Sequence, residues 1–74
     1  MPEKRPFDVL NGSLNNTVII GLKGGVELQG TMVAYDVHMN IVLENAKQFV
    51  NGEEKKGLGT VLLRGDSVVF ISPS

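Results

Sequence analysis

Between Thr17 and Ser72 the chain passes through five β-prone segments, and no separator among them is long enough to carry a helix. That density constrains the fold more than any other feature. TVIIGL is rich in β-branched residues, KGG reads as a turn, and VELQGTMVAY alternates, with Val26, Leu28, Met32 and Ala34 on one face and Glu27, Gln29, Thr31 and Tyr35 on the other. A third strand spans about Asn40 to Val50, followed by the polar connection NGEEKKG with the hairpin signal Asn51-Gly52. GTVLLR and SVVFIS complete the set, separated by Gly65 and Asp66. Five strands in so short a stretch leave little room for anything but a compact antiparallel arrangement.

Upstream, Pro6, Phe7, Leu10 and Leu14 predict a short helix over about Pro6 to Asn11, with proline suited to its first turn and Asp8 to the positive end of its dipole. Gly12 and the Asn15-Asn16 pair are expected to end it. Gly30 interrupts the longest alternating strand, and an interior glycine marks a sharp bend or a close backbone approach. The expected fold is mainly β: a short N-terminal helix followed by a five-stranded, strongly bent antiparallel barrel, in one domain over residues 1–74 with the barrel over about 17–72.

A domain of 74 residues buries only about 60% of the surface its unfolded chain exposes. Without cysteine there is no disulfide and no thiolate metal site to add stability, which leaves self-association as the common remedy. The apolar stretches VLL and VVFI make adhesive edges. If each edge pairs with the next copy at a constant closing angle, a ring results. No apolar run approaches the roughly 20 residues that cross a bilayer, and MPEKRPFDVL lacks a signal-peptide core. A cytoplasmic chain without membrane contact is expected.

Seven Lys plus Arg stand against eight Asp plus Glu, so the chain lacks the basic surplus of a general phosphate binder. Two short polar turns are more informative. YDVHMN holds the lone histidine beside Asp36, Met39 and Asn40, and LLRGDS holds Arg64, Gly65 and Asp66. They are separated by the length of one long hairpin, whose ends return to the same rim.

The His38 ring and the Arg64 guanidinium are flat groups of the kind on which single-stranded RNA bases stack, and the Asn40 carboxamide can read a base edge. Uracil offers a donor beside an acceptor, which the carboxamide matches if its orientation is fixed; Asp36, accepting one amide hydrogen, would fix it. Cytosine would then meet donor with donor, at a cost of about 1–3 kcal/mol. One slot would bind feebly, but a ring of slots gains avidity. The ring would also gather its Arg64 side chains into a local positive field.

Each residue has a plainer reading. His38 and Arg64 can be solvated turn residues, Asn40 and Asp36 turn formers, Met39 packing, and Tyr35 an ordinary strand aromatic. One histidine with no cysteine provides neither a nucleophile–base pair nor metal-ligand spacing, so neither an enzyme nor a cofactor is expected. An SH3-like protein-interaction barrel using its strand edges is the alternative, although three Phe, one Tyr and no Trp make a poor peptide groove.

The stretch from Val18 through Asn45, with Gly30, Asp36, His38, Met39 and Asn40, resembles the first motif of the Sm and Sm-like (LSm) proteins, and VLLRGDSVVFISP resembles the second. Nearly the whole chain is similar, most of all to the archaeal homo-oligomeric type. The resemblance implies an SH3-like Sm fold closed into a ring, usually of seven, through fourth and fifth strands. It further implies oligouridine bound around the pore, with His38 and Arg64 sandwiching the base, Asn40 reading it, Asp36 orienting Asn40, and Asp66 in support. A second RNA contact at Arg5 and Tyr35 is also implied.

Overall fold

The computed structural model describes residues 6–73, with side chains from residue 8 onward. Helix α1 spans Pro6–Ser13, two residues beyond the expected end. Gly12 does not stop it. The turn comes instead at Asn15, whose φ of 64° is a left-handed conformation that asparagine tolerates better than most residues. Asn15 N–H donates to the Met32 carbonyl at 2.7 Å and Met32 N–H to that of Asn16 at 3.1 Å, fixing the helix exit to the sheet.

The strands are β1 (Thr17–Leu22), β2 (Val26–Tyr35), β3 (Ile41–Val50), β4 (Glu53–Leu63) and β5 (Val68–Pro73). They form one antiparallel sheet in the order β4-β3-β2-β1-β5. Asn51 and Gly52, with φ of 53° and 84°, make a two-residue turn that keeps the β3–β4 ladder paired from Val50↔Glu53 onward. EEKKG is therefore strand and not the connection its polarity suggests; both of its faces meet solvent, which suits charged side chains.

The order explains the curvature. β4 and β5 lie at opposite edges, yet only Arg64 and a 3₁₀ turn at Gly65–Ser67 join them. Four strand spacings in a flat sheet are about 19 Å, whereas a 3₁₀ turn advances only about 2 Å per residue. The sheet must curl until its edges approach each other. Its crease runs through Gly30, the Leu43/Ala46 register shift and Gly59, at φ 70° opposite Ala46. At Gly30 a Cβ would lie 3.0 Å from the Glu44 carbonyl oxygen and 3.1 Å from Ala46 Cα.

Inside the curl, Val18 and Ile20 of β1, Met32 of β2, and Ile41 and Leu43 of β3 are fully buried, and Leu10 caps them from the helix. Each such side chain contributes about 1.5–3 kcal/mol by leaving water. The expected inner face of β2 holds for Leu28 and Met32, but Ala34 is exposed, because the register slips between Met32 and Ala34. Among the described residues four large apolar side chains face outward: Val37 in the β2–β3 turn, Leu62 on β4, which is 70% exposed, and Val69 and Phe70 on β5, which are 62% and 45% exposed.

Candidate nucleic-acid interface

The β3–β4 register brings the two polar turns together. Ile41 pairs with Leu63, so the residues just beyond them, Asn40 and Arg64, meet at one rim. His38, Asn40, Arg64, Gly65 and Asp66 line a cleft of about 330 Å³ there.

The first turn is built around Asp36. Its Oδ1 accepts from the backbone N–H of His38 at 2.9 Å and of Asn40 at 3.0 Å, and its Oδ2 accepts from Asn40 Nδ2 at 3.0 Å. Met39 N–H donates to the Asp36 carbonyl, and Met39 itself takes a left-handed φ of 65°. The Asn40 side-chain hydrogen bond first, then the Asn40 and His38 amides and the neighbouring imidazole, hold the Asp36 carboxyl below its ordinary value; partial desolvation opposes them.

The second turn supplies a contact that the sequence did not suggest. Gly65 N–H donates to Asn40 Oδ1 at 2.9 Å. The carboxamide is thus anchored at both ends, its oxygen by a donor and its nitrogen by an acceptor. Flipping it would set NH₂ against N–H and oxygen against carboxylate, so its orientation is fixed twice over. One amide hydrogen and one oxygen lone pair stay free, a donor beside an acceptor. Gly65 must approach closely for this: a Cβ there would overlap the His38 carbonyl oxygen.

Arg64 Nη2 lies 3.5 Å from Asp66 Oδ2, both side chains being largely exposed. Within this chain Asp66 offsets the charge of the cleft's single guanidinium.

Other expected residues lie elsewhere. Met39 packs against the core and lines a separate apolar groove of about 390 Å³ with Val9, Leu10, Val68, Phe70 and Ile71. Tyr35, expected in a second contact apart from the cleft, has its hydroxyl donating to Asn11 Oδ1 at 2.7 Å on the helix side. Arg5 lies outside the described residues. Among the described residues no cluster of three or more His, Cys, Asp or Glu suited to a metal occurs, and no helix is long and apolar enough to cross a membrane.

A helix laid on a curled five-stranded sheet, with free edge strands and a two-turn cleft holding an oriented carboxamide, defines a small β-domain equipped for assembly and for recognition of a planar polar ligand. The LSM domain matches residues 8–73, and the chain belongs to the LSM, or Sm-like, family. An Sm-like protein of Archaeoglobus fulgidus is 54% identical over 70 residues, which span 95% of this chain and 91% of the relative. The Pyrococcus abyssii Sm protein, solved in complex with a uridine heptamer, matches with a TM-score of 0.92 at 42% identity over 96% of this chain and 100% of that one. The SmAP1 heptamer of P. aerophilum matches with a TM-score of 0.88 at 30% identity, over 99% of this chain and 97% of its own.

Proposed function

We propose that this chain is a non-catalytic RNA-binding protein that assembles into a ring, a heptamer by analogy with the P. aerophilum protein, and binds uridine-rich single-stranded RNA around its pore. It would act as a chaperone or scaffold in cytoplasmic RNA processing. The observation that carries this reading is the doubly anchored Asn40 carboxamide in the cleft that His38 and Arg64 also line. Its free hydrogen faces an acceptor such as uracil O4 and its free lone pair a donor such as uracil N3–H, while cytosine presents the reverse pattern. The uridine heptamer bound by the P. abyssii protein supports the same ligand class.

Ring formation is supported by the free β4 and β5 edges and their exposed Leu62, Val69 and Phe70. The apolar groove between α1 and β5 would receive the β4 side chains of the next copy, giving a seam beside each cleft. Base stacking contributes only about 1–3 kcal/mol per base, so useful affinity comes from several slots engaging one strand.

Fluorescence anisotropy with equal-length oligo-U, oligo-C and oligo-A at one salt concentration tests the reading. Oligo-U is expected to bind at least about tenfold tighter than oligo-C, the value of one mismatched hydrogen-bond pair, and Asn40→Ala is expected to erase the gap. Equal binding of all three, or none, would overturn it in favour of the protein-interaction barrel.

A further inference from the structure

The cleft holds a charge arrangement that base recognition alone does not require. A site built to grip RNA phosphates presents unpaired cations, because releasing counterions from the backbone is what drives such binding. Here the cleft's one guanidinium has a carboxylate beside it, Asp66 Oδ2 at 3.5 Å from Arg64 Nη2, while Asp36 stands behind Asn40 at 3.0 Å. Arg64 and Asp66 are next-nearest neighbours at the start of the 3₁₀ turn Gly65–Ser67, so the backbone holds the two side chains on the same rim. Their side chains are 81% and 69% exposed, which makes the pair labile and of little consequence for folding. Its significance lies in what it leaves available on Arg64.

A guanidinium has two recognition surfaces. Its N–H edge binds phosphate and carboxylate, and its flat face stacks on rings. A carboxylate at the edge competes directly with phosphate and leaves the face open to a base. We propose that Asp66 is a specificity-determining residue, the internal counter-ion that turns Arg64 from a phosphate clamp into a stacking plane and so makes recognition depend on the base. The inference rests on the uridine-binding reading above and deepens it. In a ring the effect repeats at every slot: the rim offers little to strands that present only phosphates and favours those whose bases satisfy Asn40. The salt dependence of binding should accordingly be shallower than the number of arginines around the pore implies.

Asp66→Asn removes the charge at nearly constant volume, and Asp66→Glu keeps it. Glu54→Gln on the exposed β3–β4 hairpin makes the same net-charge change away from the cleft. Ring size by light scattering and Tm are checked for each protein, and oligo-U and oligo-C affinities are then measured across a salt series. Asp66→Asn is expected to bind oligo-C about threefold tighter at low salt, the scale of one exposed charge contact. Its salt slope should steepen by up to about 0.7 per engaged slot, so that the U-to-C ratio shrinks. Asp66→Glu should keep the wild-type ratio, and Glu54→Gln should leave both ratio and slope unchanged. A wild type that prefers oligo-U together with an Asp66→Asn whose slope and ratio are unaltered overturns this inference alone. So does an Asp66→Asn that loses oligo-U affinity at constant slope, since the carboxylate would then be contacting RNA itself, or a Glu54→Gln that reproduces its effects. A wild type without uridine preference overturns the underlying reading and this inference with it.

Discussion

Asn40 and Gly65, 25 residues apart in the chain, are joined by a 2.9 Å hydrogen bond from the Gly65 amide to the Asn40 carboxamide oxygen. This bond ties the two turns of the cleft into one unit and sets which edge the carboxamide shows to a ligand. It exists only because Gly65 has no side chain. A methyl group there would fall on the His38 carbonyl oxygen and lie 3.1 Å from the Met39 carbonyl carbon, both backbone atoms that cannot swing away.

Gly65→Ala is therefore expected to lower stability by about 1–3 kcal/mol, the usual cost of forcing extra volume into a packed site. For a chain of this size that is a fall in Tm of roughly 4–8 °C per kcal/mol. Loss of the bond to Asn40 Oδ1 would appear as a shift of the Asn40 side-chain amide resonances, and uridine selectivity should fall together with it. Urea unfolding and amide NMR check both; a variant as stable as wild type with unmoved Asn40 side-chain amide resonances would contradict the geometry.

The Asp36 carboxylate gives a pH dependence with a definite sign. Its folded-state pKa is lowered from the ordinary value of 3.8, chiefly by the Asn40 side-chain hydrogen bond. A lowered pKa means that the stabilisation is fully present above the unfolded value and is lost as pH falls through the folded one. The contribution of Asp36 to the turn should thus be unchanged from neutrality down to about pH 4 and weaken only below that. An NMR titration of the Asp36 carboxyl carbon tests this, and a midpoint above the ordinary carboxylate value would refute it. Asp36→Ala, which removes three hydrogen bonds, should blur discrimination between uridine and cytidine at every pH.

Gly30 supports the crease. With Cβ contacts of 3.0 and 3.1 Å to backbone atoms of β3, Gly30→Ala should cost about 1–3 kcal/mol. Gly57→Ala meets nothing within 4 Å and should stay within about 0.5 kcal/mol of wild type. Equal effects in denaturant unfolding would show that the bend does not depend on that close approach.

Leu62, 70% exposed on the β4 edge, contributes little to the core of its own chain. Under the ring reading, Leu62→Glu should leave the strand signal in far-UV circular dichroism largely intact while shifting the mass in analytical ultracentrifugation toward single chains. Oligo-U affinity should then drop by more than about tenfold, as slots lose their linkage. A ring that survives this substitution would place the seam elsewhere.

Much of the fold is legible in the residues because its signals are local. The β-branched run TVIIGL, the alternation of β2 through Met32 and the Asn51-Gly52 turn each act through neighbours a few positions away, and Gly30 shows as a break in that alternation although the backbone it admits belongs to β3. Where local signals compete, the reading slips. The charged EEKKG looks like a loop, but a hairpin turn with two positive φ angles extends the ladder through it. Gly12 looks like a stop signal, but the helix continues to Ser13, and the left-handed Asn15 marks the exit. Ala34 follows the alternation of β2 in sequence and departs from it in the sheet, where the register slips by one place.

The site divides along the same line. The sequence by itself determined the inventory, His38, Asn40, Arg64, Asp36 and Asp66 in two turns a hairpin apart, because hairpin length and turn chemistry are properties of the chain. Only the tertiary structure decided that the Gly65 amide anchors Asn40, that Met39 lies in the apolar groove and not in the cleft, and that Asp66 offsets Arg64. It also decided that β4 and β5, adjacent in sequence, stand at opposite edges of the sheet. These features depend on sheet order, curvature and close backbone approach, and such distances between remote segments are set by packing the whole core, which no short window of residues encodes.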